Sequence, residues 1–462
     1  MTRALRDRDA VLAAGLAAIR TEFTVPAGFP DNVLAAAETA ARRTPDAHRD
    51  RTDRPFVTLD PASATDLDQA FAIEMAGSDL LLHYAIADIG WFVADGDPID
   101  REAWNRGETL YLPDGKAGLY PPVLAEGAAS LLPDGPRPAI VLTTRIAPDG
   151  SGRIDGIERA LIRSRAKLAY DSVTAADLPS GFAEIARRIR AAEAARGAAR
   201  IDPPDQEVAR GANGRLVLAF RPLLDSERDN AALSLATNMA VADLLYAHAT
   251  GLFRVMEAPD DAAVARLRRE AAALGVVWPD TMPLAEFERT LAAADPGQAT
   301  MMLAIRRAGG GARYDAYRAD IAPWHAAVAA RYAHATAPLR RLADRYVLTA
   351  ALAVANGQAV PEPTTQAFAR LPKVMATADA RAARIDHAVV DLAEAVMLQG
   401  REGEHFAAVA TDVDDRGVRI QLCDLPILAR VDATGVVPGD RLTVRLTTAD
   451  PATRRIAFAV KD

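Results

Sequence analysis

Three aspartates in one short loop between two apolar segments constrain this chain more than any other feature. The loop carries Asp60, Asp66 and Asp68. Residues 56–59 before it and residues 70–73 after it are largely apolar and have the length of strands. Carboxylates this close repel one another at neutral pH, so they need protons or a cation. Hard divalent ions such as Mg²⁺ prefer oxygen ligands, and the segment therefore predicts a metal site on a strand–loop–strand frame.

Solvated turns are the alternative explanation of these aspartates. Asp is common in loops because its side chain hydrogen-bonds to its own backbone. The strands predicted on both sides favour the metal site, since they would hold the loop in the rigid frame that metal chemistry requires.

A second segment, residues 331–341, ends in two adjacent arginines, Arg340 and Arg341. Pro338 is suited to the first position of a helix, and a helix is predicted over Ala337–Asn356. Two cations in a first helical turn would oppose the helix dipole. A phosphate bound at that end would be favoured both by the dipole and by the arginines. A surface pair of arginines is the alternative.

The predicted secondary structure divides the rest of the chain into regions. Residues 1–53 predict a short helical N-terminal region. Residues 54–401 would form a central domain in which strands come first and helices follow. The predicted strands are Leu80–Ile89 (after a hairpin turn at Ala76–Asp79), Ala139–Arg145 and Gly156–Arg163. The predicted helices are Asn32–Arg43, Ala231–Ala249, Asp260–Leu274, Leu284–Ala293, Ala337–Asn356 and Gln366–Met397.

Residues 402–462 contain five short apolar alternations separated by turn sequences. This spacing predicts a small barrel, and an OB-fold fits it best. OB-folds commonly bind oligonucleotides or oligosaccharides.

Length and composition set the class of protein. A chain of 462 residues allows about three domains, and 50% hydrophobic with 25% charged residues is a globular composition. The net charge of −8 argues against a protein that coats nucleic acid, but allows an enzyme with a focused basic channel. One cysteine, Cys423, excludes an intrachain disulfide framework and a thiolate zinc site. The absence of an apolar membrane span and of a secretory leader predicts a cytoplasmic protein.

Together, the two motifs resemble the catalytic domain of the RNB family, to which ribonucleases II and R belong. Residues 59–70 are similar to the family's acidic signature, and residues 336–341, Thr-Ala-Pro-Leu-Arg-Arg, are similar to its arginine signature. Further similarity occurs in the same order at residues 84–89, 106–113, 131–133 and 252–255. The family commonly ends in an OB-fold, as this chain is predicted to do.

The resemblance implies an α+β fold. The RNB catalytic domain would be a mixed sheet with helices around an RNA channel, flanked by the helical N-terminal arm and the C-terminal OB-fold barrel. The implied activity is a magnesium-dependent hydrolytic exoribonuclease that degrades single-stranded RNA from the 3′ end to nucleoside 5′-monophosphates. Mg²⁺, or Mn²⁺, would be the cofactor and single-stranded RNA the partner. The protein would be a monomer with no membrane contact and no organic cofactor.

The resemblance also implies roles for individual residues. Asp60, Asp66 and Asp68 would hold one or two magnesium ions. Asp68 and Arg340 would be catalytic, because a fixed cation stabilises the charge of the transition state. Arg340 and Arg341 would contact RNA. Tyr111 would stack on or clamp the 3′-terminal base, and packing on the core is the alternative for this aromatic.

One position departs from the family pattern. The acidic signature usually carries four aspartates, and Gln69 stands at the fourth position. Its carbonyl oxygen can still ligate Mg²⁺, so weaker metal binding is predicted rather than an inactive enzyme. The change also leaves open an RNA-binding or regulatory protein with a weakened site. A magnesium enzyme acting on small phosphorylated substrates is a third possibility, and the C-terminal barrel argues against it.

Overall fold

The computed structural model describes residues 3–4, 11–198, 205–210, 216–221, 223–292, 295–414 and 416–461. Residues 5–10, which belong to the predicted helical N-terminal region, lie outside this set. Within the described residues, no helix combines the length and the apolarity that crossing a membrane requires.

The strands are short, and those of the central domain are spread along most of its length. They are β1 (Arg3–Ala4), β2 (Arg49–Asp50), β3 (Phe56–Asp60), β4 (Gln69–Ala76), β5 (Asp79–Ala87), β6 (Leu110–Leu112), β7 (Gly115–Ala117), β8 (Arg137–Ile146), β9 (Gly152–Ile162), β10 (Ser164–Ala169), β11 (Asp205–Arg210), β12 (Leu216–Arg221), β13 (Leu252–Met256), β14 (Ala312–Ala316), β15 (His405–Asp414), β16 (Gly417–Leu422), β17 (Leu428–Val431), β18 (Arg441–Asp450) and β19 (Arg455–Val460).

The helices lie between groups of these strands. They are α1 (Val11–Glu22), α2 (Asp31–Ala41), α3 (Ile89–Phe92), α4 (Pro98–Arg106), α5 (Phe182–Ala195), α6 (Asp225–Ala247), α7 (Asp261–Ala273), α8 (Leu284–Glu288), α9 (Pro296–Ala308), α10 (Leu342–Ala355) and α11 (Glu362–Leu398), with a π-helical turn at Leu124–Ala128.

The core of the central domain is a seven-stranded mixed sheet with the order β10-β3-β4-β5-β8-β9-β2. Neighbouring strands are antiparallel, except that β10 runs parallel to β3 and β2 runs parallel to β9. The predicted hairpin between β4 and β5 is confirmed, and Gly77 in its turn has a φ of +68°. Glycine adopts this left-handed conformation without the steric cost of a side chain.

Helices α5, α6 and α10 pack against strands β8 and β9 of this sheet. One continuous hydrophobic cluster extends from Phe56, Phe71 and Tyr84 in the sheet to Tyr346 in α10. The α+β architecture is therefore confirmed. This packing brings the loop after β3 and the segment before α10 to the same place.

Some elements differ from the predictions. The helix predicted from Ala337 begins only at Leu342, because a turn that precedes the helix is bound by the Asp344 side chain. The helix predicted over Leu284–Ala293 ends already at Glu288. Strands β10, β13 and β14 have no clear alternation in the sequence, and their pairing with distant strands forms them instead.

The 37-residue helix α11 runs from the central domain to the C-terminal domain. A second hydrophobic cluster joins α11 to α1 and to the small hairpin β6–β7. Its members include Leu16 and Ile19 of α1, Leu110 of the hairpin and Leu392 of α11. The N-terminal helix is therefore part of the central domain's packing.

Strands β15–β19 form an antiparallel sheet in the order β17-β16-β15-β18-β19. The edge strands β17 and β19 also contact each other, so the sheet nearly closes into a barrel. Phe406, Ile420 and Val444 are among the residues that fill it. The predicted five-stranded barrel of OB type is confirmed.

Candidate active site

The acidic loop, residues 61–68, connects β3 to β4 and is fixed through Ser130. The Ser130 hydroxyl accepts the N–H of Leu67 at 2.9 Å and donates to the carbonyl of Thr65 at 2.7 Å. The Leu67 side chain is fully buried, and its carbonyl accepts the N–H of Leu131. The loop is therefore held in place independently of its aspartates, as a binding site requires.

Asp60 is the last residue of β3, and the parallel strand β10 places Ala169 beside it. One carboxylate oxygen, Oδ2, is buried without a hydrogen-bond partner among the described residues. Burial, and then the charge of Asp66, raise the pKa of Asp60 to about 7, while the Lys167 ammonium opposes the shift. A buried carboxylate with an unused oxygen is suited to bind a cation.

Asp66 already faces a cation of the protein itself. Its Oδ1 lies 2.7 Å from Lys116 Nζ, and its Oδ2 accepts the Tyr111 hydroxyl at 3.3 Å. The same ammonium lies 3.1 Å from Glu126 Oε1. A divalent ion at Asp66 would have to share this carboxylate with Lys116 or displace it.

Asp68 joins the acidic loop to the arginine segment. Its buried carboxylate accepts the N–H of Leu339 at 2.7 Å through Oδ1, and Oδ2 lies 3.7 Å from Arg340 Nε. Burial raises the pKa of Asp68 to about 8, although the Arg340 charge and the Leu339 hydrogen bond lower it in part. The two motifs, which lie 271 residues apart at this contact, therefore meet at one carboxylate.

The two adjacent arginines have different environments. Arg340 faces the acidic loop and keeps 42% of its side chain exposed. Arg341 instead binds Asp344 through two hydrogen bonds of 3.0 and 2.9 Å, and the Asp344 side chain is 0% exposed. Both arginines precede α10, so the prediction that they lie in its first turn is wrong. A surface pair is also wrong for Arg341.

The backbone of the arginine segment is held by two polar side chains from other elements. Asn238 of α6 accepts the N–H of Ala335 at 2.9 Å and donates to the Thr336 hydroxyl at 3.2 Å. Asp344 of α10 accepts the N–H of Ala337 at 2.7 Å. These contacts fix the segment that presents the Leu339 N–H and Arg340.

Gln69, the first residue of β4, bridges the same two motifs. Its Nε2 donates to the carbonyl of Thr336 at 2.7 Å, and its Oε1 accepts the Tyr84 hydroxyl. Both the nitrogen and the oxygen of the side-chain amide therefore have protein partners, and Gln69 links β4 to the arginine segment. That Gln69 is also a metal ligand stays a prediction.

Tyr111 lies on the hairpin β6–β7 and is 52% exposed, so the alternative of a core aromatic is wrong. A cavity of about 180 Å³ adjoins it. Glu108, Arg340, Arg341 and Asp386 are among the residues that line this cavity with Tyr111. An aromatic face beside cations is the pattern that binds a nucleotide through its base and its phosphate.

The donor set fits a divalent ion in its chemistry, because Asp60, Asp66 and Asp68 offer hard carboxylate oxygens and one of these is unpaired. In the described part of the chain, however, no group of three or more His, Cys, Asp or Glu side chains is arranged to hold a metal ion. Two of the three carboxylates face cations of the chain instead, because Asp66 lies against Lys116 and Asp68 against Arg340. The structure thus places the predicted ligands at the end of β3 and in the loop that follows it, without arranging them as a metal-holding group.

Several residues of the site carry no local signal in the sequence. Lys116, Lys167 and Asn238 reach the loops only because the sheet and α6 bring them there. Asp344 does carry a signal, because an acidic residue three positions after Arg341 can pair with it across one helical turn.

Two family models match the chain. The RNB domain matches residues 48–355, and the RNase II-type exonuclease C-terminal S1 domain matches residues 404–461. Ribonuclease R of Aquifex aeolicus is 26% identical over 436 residues, which cover 87% of this chain and 60% of that relative. The chain therefore spans less than two thirds of the relative's length.

Solved structures share the architecture. Mycoplasma genitalium RNase R in complex with ribose-methylated single-stranded RNA superposes with a TM-score of 0.87 at 19% identity, covering 99% of this chain and 79% of that one. Yeast Ssd1, a pseudonuclease, gives a TM-score of 0.68 at 16% identity, covering 96% of this chain and 57% of that one. At these identities the likeness shows the fold alone.

Replacing Gln69 with Asp is expected to destabilise the protein in the absence of divalent ions. The shorter carboxylate cannot donate to the Thr336 carbonyl, and it adds a negative charge beside the buried Asp68. We expect the free energy of unfolding to fall by about 1–3 kcal/mol in denaturant titrations with a chelator.

The matched control is Gln358→Asp, the same change at an exposed position. Its free energy of unfolding should stay within about 0.5 kcal/mol of the wild type. Equal stability of the Gln69→Asp variant and the wild type would contradict a structural role of Gln69 in linking β4 to the arginine segment.

Proposed function

The chain belongs to the RNB-domain family, and from that premise we propose that it is a hydrolytic exoribonuclease. It degrades single-stranded RNA from the 3′ end and releases nucleoside 5′-monophosphates. The direction of degradation, from the 3′ end, and the release of nucleoside 5′-monophosphates are inferred from the family resemblance. The site residues argued below supply the chemistry.

The observation that carries this proposal is the contact of Asp68 with Leu339 and Arg340. It sets a carboxylate cluster and a half-exposed guanidinium side by side. Phosphodiester hydrolysis needs this pair of features, because negative charge on the phosphate must be neutralised while water attacks.

Asp60, Asp66 and Asp68 are the proposed ligands of a divalent ion, Mg²⁺ or alternatively Mn²⁺. Such an ion, when bound, lowers the pKa of an attacking water and stabilises the leaving 3′-oxygen. The loop supports this role because Ser130 and Leu67 hold it rigid without help from the aspartates. Lys116 limits the net negative charge of the loop.

Arg340 is the proposed transition-state cation. Its guanidinium is close to Asp68 but remains accessible to a phosphate group. Arg341 has a structural role, because its guanidinium already donates two hydrogen bonds to Asp344. This pairing helps to fix the backbone of the arginine segment. Arg341 also lines the cavity beside Tyr111, and we propose that it contacts RNA there.

Tyr111 is the proposed clamp for the 3′-terminal nucleoside. Its exposed ring lies between the acidic loop, which its hydroxyl contacts, and the cavity lined by Arg340. Stacking of a base on an aromatic ring contributes about 1–3 kcal/mol and tolerates any base. The C-terminal barrel would hold the strand upstream, as OB-folds commonly do.

A direct assay tests the proposal. Single-stranded oligoadenylate with a 5′ label, incubated with millimolar Mg²⁺ or Mn²⁺, should shorten stepwise from its 3′ end and release 5′-AMP, identified by chromatography. A chelator should stop the reaction. Release of no nucleotide with either ion would overturn the proposal, and RNA binding without hydrolysis would then support the RNA-binding alternative.

Arg340→Gln should reduce kcat by about 10²–10³-fold, the typical cost of removing one group that stabilises transition-state charge. The melting temperature should barely change, because the side chain is half-exposed and its closest carboxylate oxygen is 3.7 Å away. Steady-state kinetics and thermal unfolding provide the two readouts.

Arg341→Gln is the matched comparison at the next position. It leaves the buried Asp344 carboxylate with the Ala337 N–H but without its cation, and should cost about 3–5 kcal/mol of stability. If Arg340→Gln kept full kcat, or if it unfolded like Arg341→Gln, the roles assigned to the two arginines would be wrong.

Lys116→Met should tighten the binding of a divalent ion. The ammonium lies 2.7 Å from Asp66 Oδ1 and competes for it. Because the pair is partly exposed and screened, we expect a gain of about tenfold in affinity, or about 1.4 kcal/mol. Calorimetric titration with Mn²⁺ measures it without any RNA.

Lys373→Met removes an ammonium from the exposed side of α11 and serves as the control. It should leave the affinity for Mn²⁺ within about twofold of the wild type. Equal affinities of the Lys116→Met variant and the wild type would contradict competition between Lys116 and the ion.

A further inference from the structure

We propose that Arg20, on the N-terminal helix α1, is a positioning residue for Tyr111. Arg20 grips the turn of the hairpin β6–β7, and the hairpin in turn sets where the Tyr111 ring stands beside Asp66 and Arg340. The inference rests on the proposed function, since Tyr111 is the clamp proposed there. It gives α1 a part in substrate binding.

The hairpin cannot hold its own shape. Its strands, Leu110–Leu112 and Gly115–Ala117, have three residues each. Isolated two-stranded hairpins are marginally stable at best, even when they are longer than this. The position of Tyr111 in the middle of the first strand must therefore be fixed by contacts from outside the hairpin.

The buried face of the hairpin makes the first of these contacts. Side chains alternate between the two faces of a strand, and Leu110, Leu112 and Ala117 are buried against α1 and α11. Tyr111 and Lys116 lie on the opposite face, where they contact Asp66. The buried apolar face fixes the distance of the hairpin from α1 and α11. Apolar contacts are not directional, however, so they do not fix its orientation on these helices.

The base of the hairpin has a directional contact of its own, because the Thr109 N–H donates to the Arg340 carbonyl at 3.0 Å. At the turn, the directional contact comes from Arg20. Arg20 donates to both carboxylate oxygens of Asp114, at 2.9 and 2.8 Å, and to the carbonyl of Gly115 at 2.9 Å. A two-pronged arginine–carboxylate pair constrains orientation as well as distance. The side chains are 26% and 34% exposed, so the pair is only half-buried and its loss should not unfold the protein.

The hairpin is thus held at its base by the hydrogen bond between Thr109 and Arg340, and at two further points. Arg20 binds its turn from α1, and Asp66 binds Lys116 and Tyr111 from the acidic loop. Loosening the turn would let Tyr111 move while leaving Asp60, Asp68 and Arg340 in place. The expected defect is therefore weaker substrate binding with nearly normal chemistry.

The first experiment needs no RNA. Hydrogen exchange of the amides in residues 110–117 should be faster in Arg20→Gln than in the wild type, with the melting temperature nearly unchanged. Glu22→Gln is the matched control, because it removes a different ion pair of α1, the one with Arg454 at 2.6 Å. It should leave exchange in the hairpin unaltered.

The second experiment measures the degradation of oligoadenylate. Arg20→Gln and Asp114→Asn should each raise KM about tenfold, as loss of one stacked base would, and change kcat by less than about twofold. The exchanged pair Arg20→Asp with Asp114→Arg should recover part of the affinity. In a Tyr111→Ala background, Arg20→Gln should have almost no further effect, because a positioning residue acts only through its target.

Two results would overturn the inference. One is unchanged exchange of residues 110–117 in Arg20→Gln, and the other is a KM effect of Arg20→Gln that persists in full without the Tyr111 ring. A wild-type protein that does not cleave RNA would instead count against the proposed function, and the exchange measurement would still decide whether Arg20 holds the hairpin.

Discussion

The structure of the site depends on the hydrogen bond from the Leu339 N–H to the Asp68 carboxylate. A buried carboxylate is costly unless its oxygens are paired. Among the residues that the structure describes, the partners of the Asp68 carboxylate come from the arginine segment and not from its own loop. The position of that segment is in turn set by Asn238, Asp344 and Gln69. The arginine segment therefore joins the sheet, α6 and α10, and the Leu339–Asp68 hydrogen bond fixes the acidic loop relative to Arg340 together with the contact of Gln69 with Thr336.

The charges around the loop are close to balanced by the chain itself. Lys116 faces Asp66, Arg340 faces Asp68, and the Lys167 charge lowers the pKa of Asp60. This balance explains how neighbouring carboxylates can fold into one loop before any divalent ion binds. On the proposed function, a divalent ion at Asp66 would have to replace the Lys116 ammonium, and this exchange would weaken its affinity.

The sequence predicted the parts of this account that have local patterns. Apolar segments of strand length indicated β3, β4 and β5, short apolar alternations indicated the C-terminal strands, and the order of the short motifs indicated the family. The start of α10 was predicted too early, because Pro338 suits a helix start but Asp344 binds the turn before it. Lys116 and the grip of Arg20 on Asp114 were not predictable, since both contacts join segments whose neighbourhood only the packing of α1, α11 and the sheet creates.

The central claim is that Asp68 and Arg340 act as one unit in hydrolysis, and a double-mutant cycle on kcat tests it most directly. Asp68→Asn, Arg340→Gln and the double variant are compared under saturating single-stranded RNA and Mg²⁺. If the two groups act together, the double variant should be within about threefold of the slower single variant. Losses that multiply would show that the two residues act independently and would contradict the account.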